Sequence, residues 1–150
     1  MKRILLLLVL FVAVAASAQS ARPIRWRLAV KMTSDTEGVA TVKALVGEGW
    51  HLYGFEMPDG GPRPTVISIE GSDGIEAAGE VTPSAAPLKV YDPMFETELE
   101  WWASTVTFEV PFRITGDTPV LRVSVAYMGC DNTTCLPPQT ETLVYKAFGE

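Results

Sequence analysis

The two cysteines of the sequence, Cys130 and Cys135, are the residues best suited to do chemistry. The four residues between them, Asp131 to Thr134, form a loop short enough to bring the two Cα atoms within disulfide range. Closing a loop of about six residues stabilises a fold by only roughly 2 kcal/mol, while exposed short-loop disulfides tend to exchange readily. The spacing alone leaves two interpretations open, a structural hairpin bond and a bond that exchanges with other thiols.

The N-terminal segment has the pattern of an export signal. A positive start, Met1 to Arg3, is followed by an unbroken apolar run from Ile4 to Ala16 and a small-x-small cleavage site at Ala16 to Ala18. The run is short for a bilayer core of about 30 Å, which needs roughly 20 apolar residues; an uncleaved anchor is the alternative. We predict a signal peptide at 1–18 and a mature chain that is soluble, periplasmic or secreted, in a compartment where disulfides persist.

The composition of the 150 residues indicates one folded domain, which we place at 22–150. Hydrophobic residues make up 47% and charged residues 20%, which is too apolar for a disordered chain. The net charge of −6 argues against nucleic acid as a partner, because a basic surface is missing.

Apolar and polar residues alternate along several short segments, which is typical of half-buried strands. The predicted strands are Ile24–Met32, Val39–Val46, Trp50–Tyr53, Thr65–Glu70, Val106–Ile114, Leu121–Tyr127 and about Thr140–Phe148. Seven to nine such strands, separated by Gly- and Pro-rich turns, predict an all-β fold, an immunoglobulin-like antiparallel β-sandwich in a single domain. Pro111 cannot donate to a ladder, so its strand is expected at an edge or with a bulge. The acidic run from Glu96 to Glu100 is expected to be a solvated loop or an edge strand.

His51 is the only histidine and lies two residues before Tyr53, so both side chains are predicted on one face of a strand. If that face meets the cysteine pair, His51 can assist proton transfer; otherwise it is a partly exposed histidine at a sheet surface. Two cysteines and one histidine fall short of the four ligands of a zinc site, so no metal or other cofactor is expected. Of Trp101 and Trp102 we expect one in the core and one at the sheet surface, with an aromatic platform beside a partner groove as the alternative.

Three segments together resemble one known family. The segment Tyr127–Pro138 resembles the active-site segment of the N-terminal periplasmic domain of the thiol:disulfide interchange protein DsbD: a Tyr, a Gly-Cys, a short polar loop, a second Cys and Pro-Pro. Gly49–Tyr53 is similar to the aromatic strand of that family, and Tyr91–Phe95 to its acidic-aromatic cap loop. The resemblance implies an immunoglobulin-like fold that relays electrons by dithiol–disulfide exchange.

The resemblance also implies roles for individual residues. Cys135 would attack an oxidised partner and Cys130 would resolve the mixed disulfide, with Phe95 shielding the pair in the free protein. Nearby carboxylates would raise the pKa of the thiols, because a negative charge disfavours a second one. The residues expected around the pair are Phe95, Asp92, Glu96, Tyr53, His51 and Tyr127, with Asp131 as a further carboxylate. Pro93 follows Asp92 where the family has a second acidic residue.

The expected partners are thioredoxin-like or other exported disulfide proteins. A separate membrane thiol transporter is a second expected partner, as the electron donor, and the activity would be that of a protein-disulfide reductase. The alternative is a secreted β-sandwich binding or structural domain in which the disulfide merely closes a hairpin.

Overall fold

The fold is built from strands alone across residues 22–149, which are the residues described by this structure, a computed structural model. The strands follow in the order β1 (Ile24–Met32), β2 (Glu37–Val46), β3 (His51–Tyr53), β4 (Val66–Ser68), β5 (Ile75–Ala77), β6 (Thr82–Pro83), β7 (Leu88–Asp92), β8 (Thr97–Trp102), β9 (Val106–Ile114), β10 (Leu121–Tyr127), β11 (Gly129–Cys130) and β12 (Gln139–Tyr145). The predicted signal peptide at 1–18 lies outside the described residues. Within 22–149 no helix is long and apolar enough to cross a membrane.

The strands pair antiparallel in three sheets. The large sheet has the order β1-β2-β9-β5, and β6 pairs with β9 as well. A second sheet has the order β12-β10-β4, and a third the order β11-β3-β8-β7. We call this third sheet the cysteine sheet, because β11 carries Cys130.

The main hydrophobic core packs the inner face of the large sheet against β10. Val42, Phe108 and Phe112 come from the large sheet, and Val123 and Val125 from β10. Each is almost completely buried, and fully burying a side chain of this kind contributes about 1.5–3 kcal/mol. The predicted all-β antiparallel sandwich is confirmed, and Cys130 and Cys135 are not part of its main core.

Alternation predicts the long strands better than the short ones. The structure has β1, β9 and β10 with the predicted bounds. The expected number of seven to nine strands is too low, because the short strands β5, β6 and β11 contain two or three residues each, too few to show a period.

The prediction for the acidic run before Trp101 is wrong. Its residues form most of β8, which is neither a loop nor an edge, since β3 pairs with it on one side and β7 on the other. Leu99 is buried, whereas its neighbour Glu98 is exposed. Glu98 and Glu100 therefore occupy alternate positions of an internal strand and flank the buried Leu99.

Pro111 lies in an internal strand and not at an edge, since β9 is flanked by β2 and by β5 and β6. Ala78 donates its backbone N–H to the Pro111 carbonyl over 3.0 Å, so the nitrogen side of Pro111 faces the same neighbour. Between β5 and β6, residues 78–81 leave the ladder at this point. The missing N–H of Pro111 thus faces a break in the pairing, which is the bulge alternative of the prediction.

Candidate functional site

Cys130 and Cys135 form a disulfide across a tight hairpin. Leu136 donates its backbone N–H to the carbonyl of Gly129 over 2.9 Å, which places the two cysteines directly opposite each other at a non-hydrogen-bonded position of the antiparallel pair. Backbones approach most closely at such positions, and the two Cα atoms are 4.0 Å apart. The hairpin therefore holds the two sulfurs within bonding reach.

Asp131 organises the loop between the cysteines. Its carboxylate oxygen Oδ1 accepts hydrogen bonds from the backbone N–H groups of Thr133, at 2.8 Å, and Thr134, at 2.6 Å. This is the turn chemistry expected of an aspartate at the start of a short loop. The same hydrogen bonds lower the pKa of Asp131, so its negative charge persists beside the disulfide.

The two sulfur-bearing residues differ in their access to solvent. Cys130 is 1% exposed and packs with Tyr53 and Leu99 in a small apolar cluster. Cys135 is only partly buried, and its Sγ atom lies 3.3 Å from Sδ of Met94. Since Sγ of Cys135 is bound to Cys130 and carries no proton, this is a sulfur–sulfur contact. An approaching thiolate therefore reaches Cys135 before Cys130.

The cysteine sheet has two faces with different tasks. Leu52 of β3 pairs with Trp102 of β8, and both enter the main core. On the next rung Tyr53 pairs with Trp101, and both pack in the small cluster around Cys130. Side chains alternate along a strand, so one face of this sheet supports the core and the other supports the disulfide.

A buried polar chain runs beneath the disulfide from His51 through Tyr53 to Asp92. The Tyr53 hydroxyl donates to Oδ2 of Asp92 over 2.9 Å, and Nε2 of His51 lies 3.3 Å from the same hydroxyl oxygen. Because the single phenolic proton is directed at Asp92, Nε2 of His51 has to be the donor of the second hydrogen bond. All three residues are buried. The prediction of a partly exposed histidine at the sheet surface is thus wrong, since His51 is 7% exposed and Trp101 stacks on its ring with centroids 4.0 Å apart.

Asp92 links this polar chain to the loop between β7 and β8, residues 93–96, which we call the cap loop. Its Oδ1 atom accepts the backbone N–H groups of Met94, at 2.8 Å, and Phe95, at 3.2 Å. Phe95 is half-buried, and its ring meets the Tyr53 ring edge-on with centroids 6.1 Å apart. One carboxylate therefore fixes both the cap loop and the tyrosine beneath it.

Burial sets the charge states of the polar chain. It lowers the pKa of His51, outweighing the attraction of Asp92 and Asp131 for the protonated ring. It also raises the pKa of Tyr53 strongly, and the hydrogen bond to Asp92 and the charge of that carboxylate raise it further. At neutral pH the site therefore contains a neutral imidazole and a protonated phenol, each able to donate a hydrogen bond.

Two residues of the predicted site lie apart from this polar chain. Glu96 ends the cap loop with an exposed side chain and a left-handed backbone, φ 54°. Tyr127 packs against Trp26 in the main core, with ring centroids 5.3 Å apart, and its hydroxyl donates to Glu141 over 2.9 Å. The structure therefore groups Cys130, Cys135, Phe95, Asp92, Tyr53 and His51, and leaves Glu96 and Tyr127 outside their hydrogen bonds.

Sequence reasoning missed several residues that pack around the disulfide. Met94 contacts Cys135, Trp101 stacks on His51, and Leu99 packs beside Cys130. The signal for Trp101 and Leu99 was the alternation along β8, which places them on the same face. Trp102 is the buried member of the tryptophan pair and Trp101 the half-buried one, as expected. Across residues 22–149 no three His, Cys, Asp or Glu side chains converge as metal ligands.

Comparisons with known proteins bear on the family and the fold of this chain. The family model described as thiol:disulfide interchange protein DsbD, N-terminal, matches residues 20–147. The chain is similar to the crystal structure of the Neisseria meningitidis DsbD N-terminal domain in the reduced form, at 16% identity and a TM-score of 0.60, over 85% of this chain and 87% of that one. It is also similar to the N-terminal periplasmic domain of ScsB from Proteus mirabilis, at 12% identity and a TM-score of 0.64, over 85% of this chain and 48% of that one.

A search of curated proteins gave no match. At identities this low, the two solved structures speak for the fold. Their likeness confirms the predicted immunoglobulin-like sandwich.

Proposed function

The chain belongs to the family of the N-terminal domain of the thiol:disulfide interchange protein DsbD, and on that premise we propose that it is an exported thiol–disulfide exchange module. It passes reducing equivalents from a thiol donor to disulfides of other exported proteins through Cys130 and Cys135. The activity is that of a protein-disulfide reductase. The observation that carries this proposal is the disulfide itself, with one sulfur buried and the other partly exposed beneath the cap loop.

The exchange proceeds in two displacement steps. In the reduced protein, the Cys135 thiolate attacks one sulfur of the client disulfide, and the other client sulfur leaves as a thiolate that takes up a proton. Cys130 then loses its proton and attacks Sγ of Cys135. The Cys130–Cys135 bond forms, the mixed disulfide breaks, and the client leaves as a dithiol. Two electrons pass to the client, and a donor dithiol restores the pair.

The burial of the two cysteines supports these separate roles. Cys135 is the sulfur that a docking protein can reach, whereas Cys130 has no space around it for a second chain. A buried thiol whose only neighbouring sulfur in the disulfide is that of its hairpin partner is suited to resolve a mixed disulfide. Phe95 and Met94 cover the pair from the cap loop, so docking has to displace that loop.

The polar chain supports proton movement during the exchange. His51, in the neutral state, can accept a proton, and it stands opposite Cys130 in the ladder between β3 and β11. Asp92 and Asp131 place negative charge nearby, which disfavours thiolates in the free protein. The resting thiols therefore react slowly until a partner changes their surroundings.

Thioredoxin-like or other exported disulfide proteins are the proposed partners, and a membrane thiol transporter is the proposed donor. The proposed location is the periplasm, supported by the signal-peptide pattern of residues 1–18 and by the periplasmic description of the similar ScsB domain. A second candidate is a binding domain with a structural hairpin bond, which the complete burial of Cys130 favours.

A trapping experiment separates the two candidates. In Cys130→Ser the attacking thiol remains and the resolving thiol is gone, so a mixed disulfide through Cys135 should accumulate with an exported thioredoxin-like protein. The matched control is Cys135→Ser, which leaves only the buried thiol and should trap little. Equal trapping by both variants would contradict the assigned roles.

The reduction potential gives an independent measurement. Equilibration with glutathione buffers followed by alkylation should place the potential of the pair above about −300 mV, the region of exchangeable disulfides. A potential below that value, together with no trapped partner, would favour the structural disulfide.

A further inference from the structure

Met94 brings a third sulfur atom to the disulfide. Its Sδ atom lies 3.3 Å from Sγ of Cys135, so the two sulfur atoms are in direct contact. Its backbone N–H is held by Oδ1 of Asp92 over 2.8 Å, so the position of the residue in the cap loop is fixed from the backbone. The residue is nevertheless 43% exposed. A thioether that covers the reactive sulfur is thus open to small solutes.

The other methionines of the described chain provide a comparison. Met32, at the end of β1, is 37% exposed and lies in the large sheet. Met57 and Met128 are half-buried members of the cluster around Cys130. Met94 is therefore exposed to a similar degree as Met32, but its sulfur also contacts the disulfide.

We propose that Met94 is an oxidant-sensitive gate over Cys135, and that its oxidation by a peroxide uncovers the disulfide. The peroxide transfers one oxygen atom to Sδ: the O–O bond breaks, the S–O bond of a sulfoxide forms, and water leaves with the two peroxide protons. Sulfur is oxidised by two electrons and peroxide is reduced by two. A regulatory role of this oxidation rests on the proposed function, because uncovering the disulfide affects activity only if the disulfide exchanges with other thiols.

The chemistry of the sulfoxide explains the opening. Oxidation converts a flexible apolar side chain into a polar one, which disrupts packing in an apolar environment. Through Cys135 the sulfur contact borders the apolar cluster that includes Phe95 and Tyr53, of which Met94 itself is not a member. The polar sulfoxide is better solvated away from the Cys135 sulfur, while the Asp92 hydrogen bonds keep the cap-loop backbone in position. Only the cover over Cys135 is lost.

The experiment starts from the oxidised protein. Both cysteines are then in the disulfide, so peroxide finds no thiol to consume. Hydrogen peroxide is added, and peptide mass spectrometry follows oxygen addition at Met94 and Met32. The rate of disulfide reduction by dithiothreitol is measured before and after treatment. Met94→Leu removes the oxidisable sulfur at similar volume, and Met32→Leu is the matched control.

Peroxide treatment should accelerate reduction of the disulfide about five-fold in the unsubstituted protein and in Met32→Leu. This factor corresponds to a loss of roughly 1 kcal/mol of stabilisation of the covered state. In Met94→Leu the treated and untreated rates should agree. Far-UV circular dichroism should stay unchanged throughout. The proposal would be overturned by an unchanged reduction rate with Met94 fully oxidised, or by the same acceleration in Met94→Leu. It would also be overturned if Met94 were oxidised more slowly than Met32, or if the acceleration came with loss of the fold.

Dithiothreitol reports access to the sulfur without any protein partner. Failure of the gate therefore shows in this measurement, whereas failure of the proposed function shows in the trapping with Cys130→Ser. The two results are independent.

Discussion

Single side chains at this site carry out both structural and chemical tasks. Asp92 uses one oxygen for the Tyr53 hydroxyl and the other for two N–H groups of the cap loop. His51 completes the polar chain as a neutral donor to that hydroxyl. Any change in the charge of these groups is therefore a change in both stability and redox chemistry.

The lowered pKa of His51 gives the fold a pH dependence of defined sign. In the unfolded chain the imidazole titrates at its ordinary value of 6.5, and in the fold below that value. The unfolded state then binds more protons, so the free energy of unfolding falls as the pH drops through about 6.5 and levels off below the folded pKa. Urea titrations between about pH 5 and pH 7 should show this loss.

His51→Gln is the control, because glutamine keeps an N–H donor and does not titrate. The chain has no other histidine, and Asp131 stays charged across this range. The slope between pH 5 and pH 7 should be flatter in the variant. An identical slope in both proteins would assign the pH dependence to other groups.

Residue spacing could have excluded Tyr127 from the site. Tyr127 lies three residues before Cys130, and residues three apart along an extended strand face opposite sides. His51 and Tyr53, two apart, share a face as predicted. The contact of Met94 with Cys135 depends on a hairpin folding back over another strand pair, which no local pattern encodes.

The β7–β8 hairpin is the element that covers the disulfide, through Met94 and Phe95. We predict that Asp92→Ala loosens the cap loop, because two N–H groups and the Tyr53 hydroxyl lose their acceptor. Hydrogen bonds to charged groups contribute about 1.5–3 kcal/mol each, so reduction by dithiothreitol should become roughly ten-fold faster or more.

Asp92→Asn keeps an oxygen that can accept the cap-loop N–H groups. Its rate of reduction by dithiothreitol should therefore lie between those of the unsubstituted protein and Asp92→Ala. The exposed Asp59 provides a surface control through Asp59→Ala, which should reduce at the original rate. A rate for Asp92→Ala that matches Asp59→Ala would show that the cap loop is not held by this carboxylate.

The junction of β10 and β11 depends on a glycine. A Cβ atom at Gly129 would collide with the buried Ile24 side chain. We expect Gly129→Ala to lower the free energy of unfolding by about 1–3 kcal/mol, the usual cost of overpacking. Urea unfolding measures this change. Gly71→Ala is the matched control, because nothing lies within 4 Å of its added Cβ, and it should leave stability nearly unchanged.

The alternation of apolar and polar residues identifies long strands better than short ones. The nine-residue strands β1 and β9 show several repeats of the two-residue period, and both have their predicted bounds. β8 was missed because the glutamates suggested solvent, although Leu99 and Trp101 alternate with them. β11, with two residues, exists only through its pairing with β3.

Considered as a whole molecule, the protein separates its stability from its reactive bond. The main core joins the large sheet to β10, and the disulfide closes only a local hairpin. Closing about six residues contributes roughly 2 kcal/mol. We therefore predict that the reduced protein remains folded, with its free energy of unfolding lower by about that amount.

Urea unfolding with and without dithiothreitol measures the difference, and Cys130→Ala combined with Cys135→Ala should behave like the reduced protein. Far-UV circular dichroism should be the same in all three. Loss of the β-sheet signal on reduction would show that the bond is required for folding and would count against a role in exchange.

The alternation of the two faces along β3 and β8 has a consequence for quality control during folding. A one-residue slip of β3 along β8 would send Tyr53 into the core and turn Leu52 toward the sulfurs, while Trp101 and Trp102 keep their sides. Such a misregistered chain would lose its packing and its chemistry together. Stable copies therefore have the side chains around the disulfide in place, and proteases that degrade unstable chains would also remove those with a misassembled site.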